Sequence, residues 1–84
     1  MISRLIRARQ RGQLIEAEQI YRNILGTAPH NFDATQFLGV VFLQRGQLSD
    51  GERLIARALK INPKDPSAHN NRGNALRLFP RLKK

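Results

Sequence analysis

Arg45-Gly46-Gln47-Leu48 repeats Arg11-Gly12-Gln13-Leu14 at a distance of 34 residues, and the fold follows from that coincidence. The same shift lays Ala17 on Gly51, Ile20 on Leu54, Tyr21 on Ile55, Leu25 on Leu59 and Pro29 on Pro63. A second shift lays Ala34 on Ala68, Gly39 on Gly73 and Phe42 on Leu76, and the third copy stops after Phe79, at Pro80. A fixed period in this range marks a stack of like units, each too small to bury its apolar face alone. The 84 residues divide into 1–31, an N-terminally shortened first repeat, 32–65, a complete second, and 66–79, a half repeat acting as a cap. Together they form a single domain over 1–79, followed by a basic tail at 80–84.

Each unit reads as two helices. Leu38, Phe42, Leu48, Leu54, Ile55, Ala58 and Leu59 recur at helical spacings, interrupted at Arg45-Gly46, where glycine can take the left-handed conformation that ends a helix. Between copies, Pro63 disfavours helix in the residue before it, and Pro66 suits the first turn of the next helix. The pattern predicts five helices near 2–11, 14–27, 32–45, 48–61 and 66–79, an all-α stack of antiparallel hairpins. Gly39, Gly51, Gly73, Ala17 and Ala58 flatten one face of each helix, which is useful only where another backbone lies against it. Tyr21 and Ile55, at equivalent places, are expected to fill the space between a hairpin and its successor.

Composition narrows the function. A domain this small buries only about 60 % of the surface its unfolded chain exposes, so its core is thin. The chain has no cysteine, hence no disulfide or thiolate metal site to compensate. No apolar run approaches the roughly 20 residues of a membrane helix, and the Arg-rich start lacks the apolar stretch of a secretory signal, so a cytoplasmic location is expected. The net charge of +9 sits at the ends: Arg4, Arg7, Arg9 and Arg11 on one side, and Arg72, Arg77, Arg81, Lys83 and Lys84 on the other, with no acid in either stretch. Between them six basic residues balance six acidic ones.

Leu38-Gly39, Phe42, Gly46, Gly51, Ile55, Ala58 and Pro63 fall at the spacing of the tetratricopeptide repeat signature, and the chain resembles that family over residues 1–79. Gly51 stands for the usual Ala, Thr35 and His69 stand where Trp is common, and the first copy has Leu5 and Ala8 at the Gly39 and Phe42 places. The resemblance implies a right-handed superhelix, an α-solenoid, whose first helices line a concave groove for proteins and peptides. His69-Asn70-Asn71-Arg72-Gly73-Asn74-Ala75-Leu76 is also similar to repeats of the O-GlcNAc transferase family, where Asn at the place of Asn71 lines the groove as a ladder.

At about 100° per residue, the packing face of the middle first helix holds Thr35, Leu38, Gly39 and Phe42. The opposite side, Gln36, Phe37, Val40, Leu43 and Gln44, is then the candidate groove, joined by Ile6 and Arg9 from the first copy and Asn70, Asn71, Asn74 and Arg77 from the third. Phe37, Val40 and Leu43 either anchor an apolar side chain of a bound peptide or pack under neighbouring first helices. The asparagines can donate and accept at once, which suits a peptide backbone, or they are ordinary solvated residues. Arg4, Arg7 and Arg11 lie on the side a preceding repeat would cover, where solvation is favoured over an acidic partner. The final helix has no partner in the chain, so Ala75, Leu76, Leu78 and Phe79 cannot all bury and form a candidate self-association strip. The alternative is that the strip folds over the preceding helix as a cap.

Catalysis is the least favoured class. The chain offers two histidines, His30 in a turn and His69 at a packing place, no cysteine, and scattered carboxylates, and neither a cofactor nor a metal is implied. The expected function is a scaffold that binds another protein or peptide. A basic module binding nucleic acid nonspecifically is the runner-up, disfavoured because the charge is split between two ends and few aromatic rings are free for stacking. A self-associating piece of a larger repeat protein, forming a homo-oligomer through the C-terminal half repeat, is the third reading.

Overall fold

The computed structural model describes residues 2–78, with side chains over 11–77. Four helices follow one another: α1 (Ile2–Thr27), α2 (Phe32–Gln44), α3 (Leu48–Ile61) and α4 (Pro66–Leu78). Helix α2 packs on α3, α1 and α4, and α4 also lies against α3. The core gathers around α2 and α3: Ala34, Leu38, Val41, Phe42, Ile55, Ala58 and Leu59 are buried, with Ala68 and Ala75 from α4.

The helix boundaries have local causes. Asn31 caps α2, its side chain accepting from the Ala34 amide at 2.9 Å while its carbonyl accepts from Thr35 Oγ1 at 2.8 Å. Thirty-four residues on, Asp65 caps α4 in the same way, accepting from the Ala68 amide at 2.9 Å, with Pro66 in the first turn. The period thus carries the caps as well as the core. Asn31→Ala should cost about 1 kcal/mol, measured by urea unfolding; no loss would mean the cap is satisfied equally by water.

The turn between α2 and α3 is made by Gly46 at φ 83°, the sole positive-φ glycine among the described residues. It allows the Gln47 amide to reach back to the Phe42 carbonyl at 2.8 Å, while the Gly46 amide donates to the Leu43 carbonyl at 3.1 Å. The two helices then approach until a Cβ added at Gly39 would lie 3.1 Å from the Gly51 carbonyl oxygen. Side chains at both places would hold the backbones apart.

That contact explains the one departure from the expected architecture, four helices where the periodicity predicts five. Residues 11–14 have the same sequence as 45–48 but continue as helix, so the anticipated helices 2–11 and 14–27 are the single 26-residue α1. Ala17, at the place of Gly51, is the residue usual there, but Leu5 occupies the place of Gly39, where even a Cβ is crowded, and so opposes in the first copy the approach that closes the second hairpin. Without it, Gly12 has no turn to serve and stays in the helix, at a cost of about 1 kcal/mol relative to alanine.

Helix α1 is tied to α2 by charge as well as packing. The Glu18 carboxylate accepts from Arg22 Nε at 2.8 Å and from Arg45 Nη1, and so joins α1 to the end of α2. The Arg22 guanidinium also sits 5.5 Å from the centre of the Phe42 ring.

Candidate functional site

The unbroken course of α1 leaves a cleft between it and α2. Gln13, Leu14, Ala17 and Tyr21 form one wall, and Phe37, Val40, Val41 and Gln44 the other, around about 600 Å³. Its floor is apolar, its amides are at one end, and at the other the Tyr21 and Phe37 rings meet with centroids 5.8 Å apart and planes tilted by 41°. Past Leu14 and Gln44 it continues into a second cavity of about 490 Å³ that ends at Arg11 and Arg45. Phe37 is 42 % exposed although a neighbouring ring packs on it. An aromatic side chain held in place yet open to solvent is a ready contact for an apolar group.

Several predicted groove residues stand elsewhere. Gln36, expected on the open face, is buried at 2 % exposure, and its Oε1 accepts from Asn71 Nδ2 at 3.3 Å. Leu43 is half-buried and turns toward α3: its Cδ2 lies 2.7 Å from where a Cβ on Gly51 would stand. Both differences have one cause. A helix in the middle of a stack touches three neighbours, and the reading that gave α2 one packing face and one open face leaves too little of it covered. Phe37, Val40 and Gln44 do line the cleft.

In α4, Asn71 is engaged with Gln36, Asn74 is half-buried and accepts from Arg77 Nη2, and Asn70 is exposed. The three asparagines therefore do not form one open row of amides. Of the expected self-association strip, Ala75 is fully buried and Leu76 half-buried. The Ile6, Arg9 and Leu78 side chains and the whole of Phe79 lie outside the described residues. His69, expected at a packing place, is exposed, with Nε2 2.6 Å from the Pro63 carbonyl oxygen.

What sequence reasoning missed is the α1 wall. Tyr21, expected to fill space between a hairpin and its successor, does meet Phe37 of the next copy, but it is only half-buried and closes one end of the cleft. On the same helix Ile20, matched to Leu54 by the period, and Ile24 are 51 % and 36 % exposed. The signal was present in Leu5, whose bulk at a glycine place argues against the first hairpin.

Three of the six basic residues in the middle of the chain are engaged with carboxylates, Arg22 and Arg45 with Glu18 and Arg53 with Asp50 at 2.6 Å, and Arg72 of the C-terminal basic stretch lies 3.7 Å from Glu52. Among the described residues no cluster of histidine and carboxylate side chains could hold a metal ion, and no helix is long and apolar enough to cross a membrane.

Residues 8–74 match the family model described as tetratricopeptide repeat. No curated protein and no solved structure matches the chain. The matched segment takes in the cleft, the complete hairpin and most of α4, and on that match the chain belongs to the tetratricopeptide repeat family.

Proposed function

We propose that the chain is a protein-binding module whose cleft between α1 and α2 receives an apolar segment of a partner. The observation that carries this reading is the exposed Phe37 ring, braced by Tyr21 at the wall of a cavity floored by Leu14, Ala17 and Val41. The amides of Gln13 and Gln44 at the rim can bond to a partner's backbone without selecting its side chains. Membership of the repeat family supports binding over catalysis in general terms, since proteins of this family commonly mediate contacts between proteins. The pairing of Arg22 and Arg45 with Glu18 takes up positive charge beside the cleft, which favours an apolar segment over a phosphate backbone there. The amide ladder implied by the likeness to O-GlcNAc transferase repeats would run through Asn71, whose amide here donates to Gln36, so the cleft is the better-supported site.

Selection from a random peptide library displayed on phage tests the reading. Peptides with apolar residues at their centre should be enriched on the wild-type chain, and Phe37→Asp should weaken their binding by at least about thirtyfold, the effect of losing one central anchor. Because Phe37 is partly exposed, its replacement should cost little beyond the ring contact with Tyr21, about 1 kcal/mol, and lower the melting temperature by only a few degrees. Enrichment that ignores Phe37→Asp, or no enrichment on a chain that is monomeric, would overturn it.

A further inference from the structure

We infer that the segment received by this cleft is the N-terminal half of α1 from a second copy of the chain, two copies pairing antiparallel through their first helices. The inference rests on the proposed cleft and names its occupant. It starts from the internal repeat. Ala17, Ile20 and Ile24 of α1 are the equivalents of Gly51, Leu54 and Ala58 of α3. In α3 that face is covered by α2: a Cβ added at Gly39 would lie 3.1 Å from the Gly51 carbonyl oxygen and 3.2 Å from Leu54 Cβ, and Ala58 is fully buried. In α1 the same face is open, with Ile20 at 51 % and Ile24 at 36 % exposure. The segment that covers it in the second copy, residues 36–44, corresponds to residues 2–10.

The other wall gives the same answer. Asn71 of α4 donates to Gln36 of α2, a contact between successive first helices. Moved back one repeat, that pair becomes Phe37 and Ile2. The open isoleucines of α1 and the open Phe37 of α2 are therefore the two sides of a seat shaped for a helix with the register of residues 2–10.

The chain's own residues 2–10 do not take that seat, because they continue α1 as one unbroken helix. Closing them back through a tight turn would force Leu5 onto Ala17, where the second hairpin has glycine on both sides. Helices from separate chains are not held by a turn and can lie at an ordinary spacing of about 8–10 Å. Charge sets their direction. The first half of α1 carries Arg4, Arg7, Arg9 and Arg11 with no acid, whereas the second half carries Glu16, Glu18 and Arg22. Antiparallel pairing lays each basic half beside Glu16 of its partner, while Glu18 stays with Arg22 and Arg45, and a two-fold axis near Gly12 makes the contact twice. Arg11-Gly12-Gln13-Leu14 then acts as the hinge at which an element is exchanged between copies.

Sedimentation equilibrium on the full chain, with two variants run alone and mixed, tests this. The wild type should be a dimer. Leu5→Glu and Ile20→Lys should each weaken it by at least about tenfold with unchanged helicity by circular dichroism, and Ile24→Lys replaces Ile20→Lys should the latter lose helicity. An equal mixture of Leu5→Glu and Ile20→Lys should regain a heterodimer, because one half of the pair is then unaltered and the other sets the introduced carboxylate against the introduced ammonium. A monomeric wild type, a dimer indifferent to both changes, or a mixture no better than its components would overturn the inference. If the wild type is monomeric yet binds the phage-selected peptides through Phe37, the occupant is wrong and the cleft stands. If those peptides do not bind either, the cleft reading falls as well.

Discussion

Gly39→Leu should abolish the hairpin of α2 and α3, lowering stability by about 3 kcal/mol or more, the upper end of what overpacking costs. Even the first added atom is crowded: a Cβ at Gly39 would stand 2.9 Å from Ile55 Cγ1, 3.1 Å from the Gly51 carbonyl oxygen and 3.2 Å from Leu54 Cβ. A side-chain tip can rotate away, but a carbonyl oxygen inside a helix moves only with its helix. The three further carbons of leucine would have to displace α3, which α2 packs against most closely. In a domain of this size each kcal/mol shifts the melting point by about 4–8 °C, so the transition should fall by 12 °C or more, about the smallest shift that 3 kcal/mol gives. Thermal melts followed by circular dichroism would show it; a fall of only a few degrees would mean that the glycine contact does not set the spacing. The first copy, with Leu5 and Ala17 and no closed hairpin, is the chain's own version of this substitution.

Ile55→Ala should be nearly as damaging, at about 3 kcal/mol within the 2–5 expected for emptying a buried aliphatic site. Ile55 is fully buried, the largest apolar side chain of the described residues to be so, and it fills the space beside Gly39. The two sites touch, so their effects should not add. Gly39→Ala made in an Ile55→Ala background should cost less than Gly39→Ala in the wild type, since the atom it meets first has gone. Chemical denaturation of the four chains closes the cycle, and simple additivity would contradict the packing described for this hairpin.

How much of this was legible in the sequence depended on whether the signal was local. The period of 34 placed α2, α3 and α4, because Gly46, Pro63 and Pro66 act on the residues beside them, whereas the caps Asn31 and Asp65 emerged only with the structure. Thr35, Leu38 and Phe42 could be read as a packing face from spacing alone. The identical tetrapeptides at 11–14 and 45–48 show where such reading ends. A turn motif closes only if the helices it joins can meet, and that is decided at Leu5 and Ala17, several residues away on either side. The site followed the same division. Phe37, Val40 and Gln44 were legible from the α2 pattern, whereas Tyr21, Gln13 and Ala17 enter the cleft only because α1 runs unbroken. Gln36 and Leu43 left the site because α2 has three neighbours, which no single-helix projection contains.

The central claim is that partners are met at the cleft between α1 and α2. Amide chemical shifts of the nitrogen-15-labelled chain, titrated with a phage-selected peptide, test it most directly. The largest changes should fall on Gln13, Ala17, Tyr21, Phe37, Val40 and Gln44, the residues facing the cavity, and should disappear in Phe37→Asp. Changes centred instead on Asn70 and Asn74 of α4, or spread over the arginines, would contradict the account.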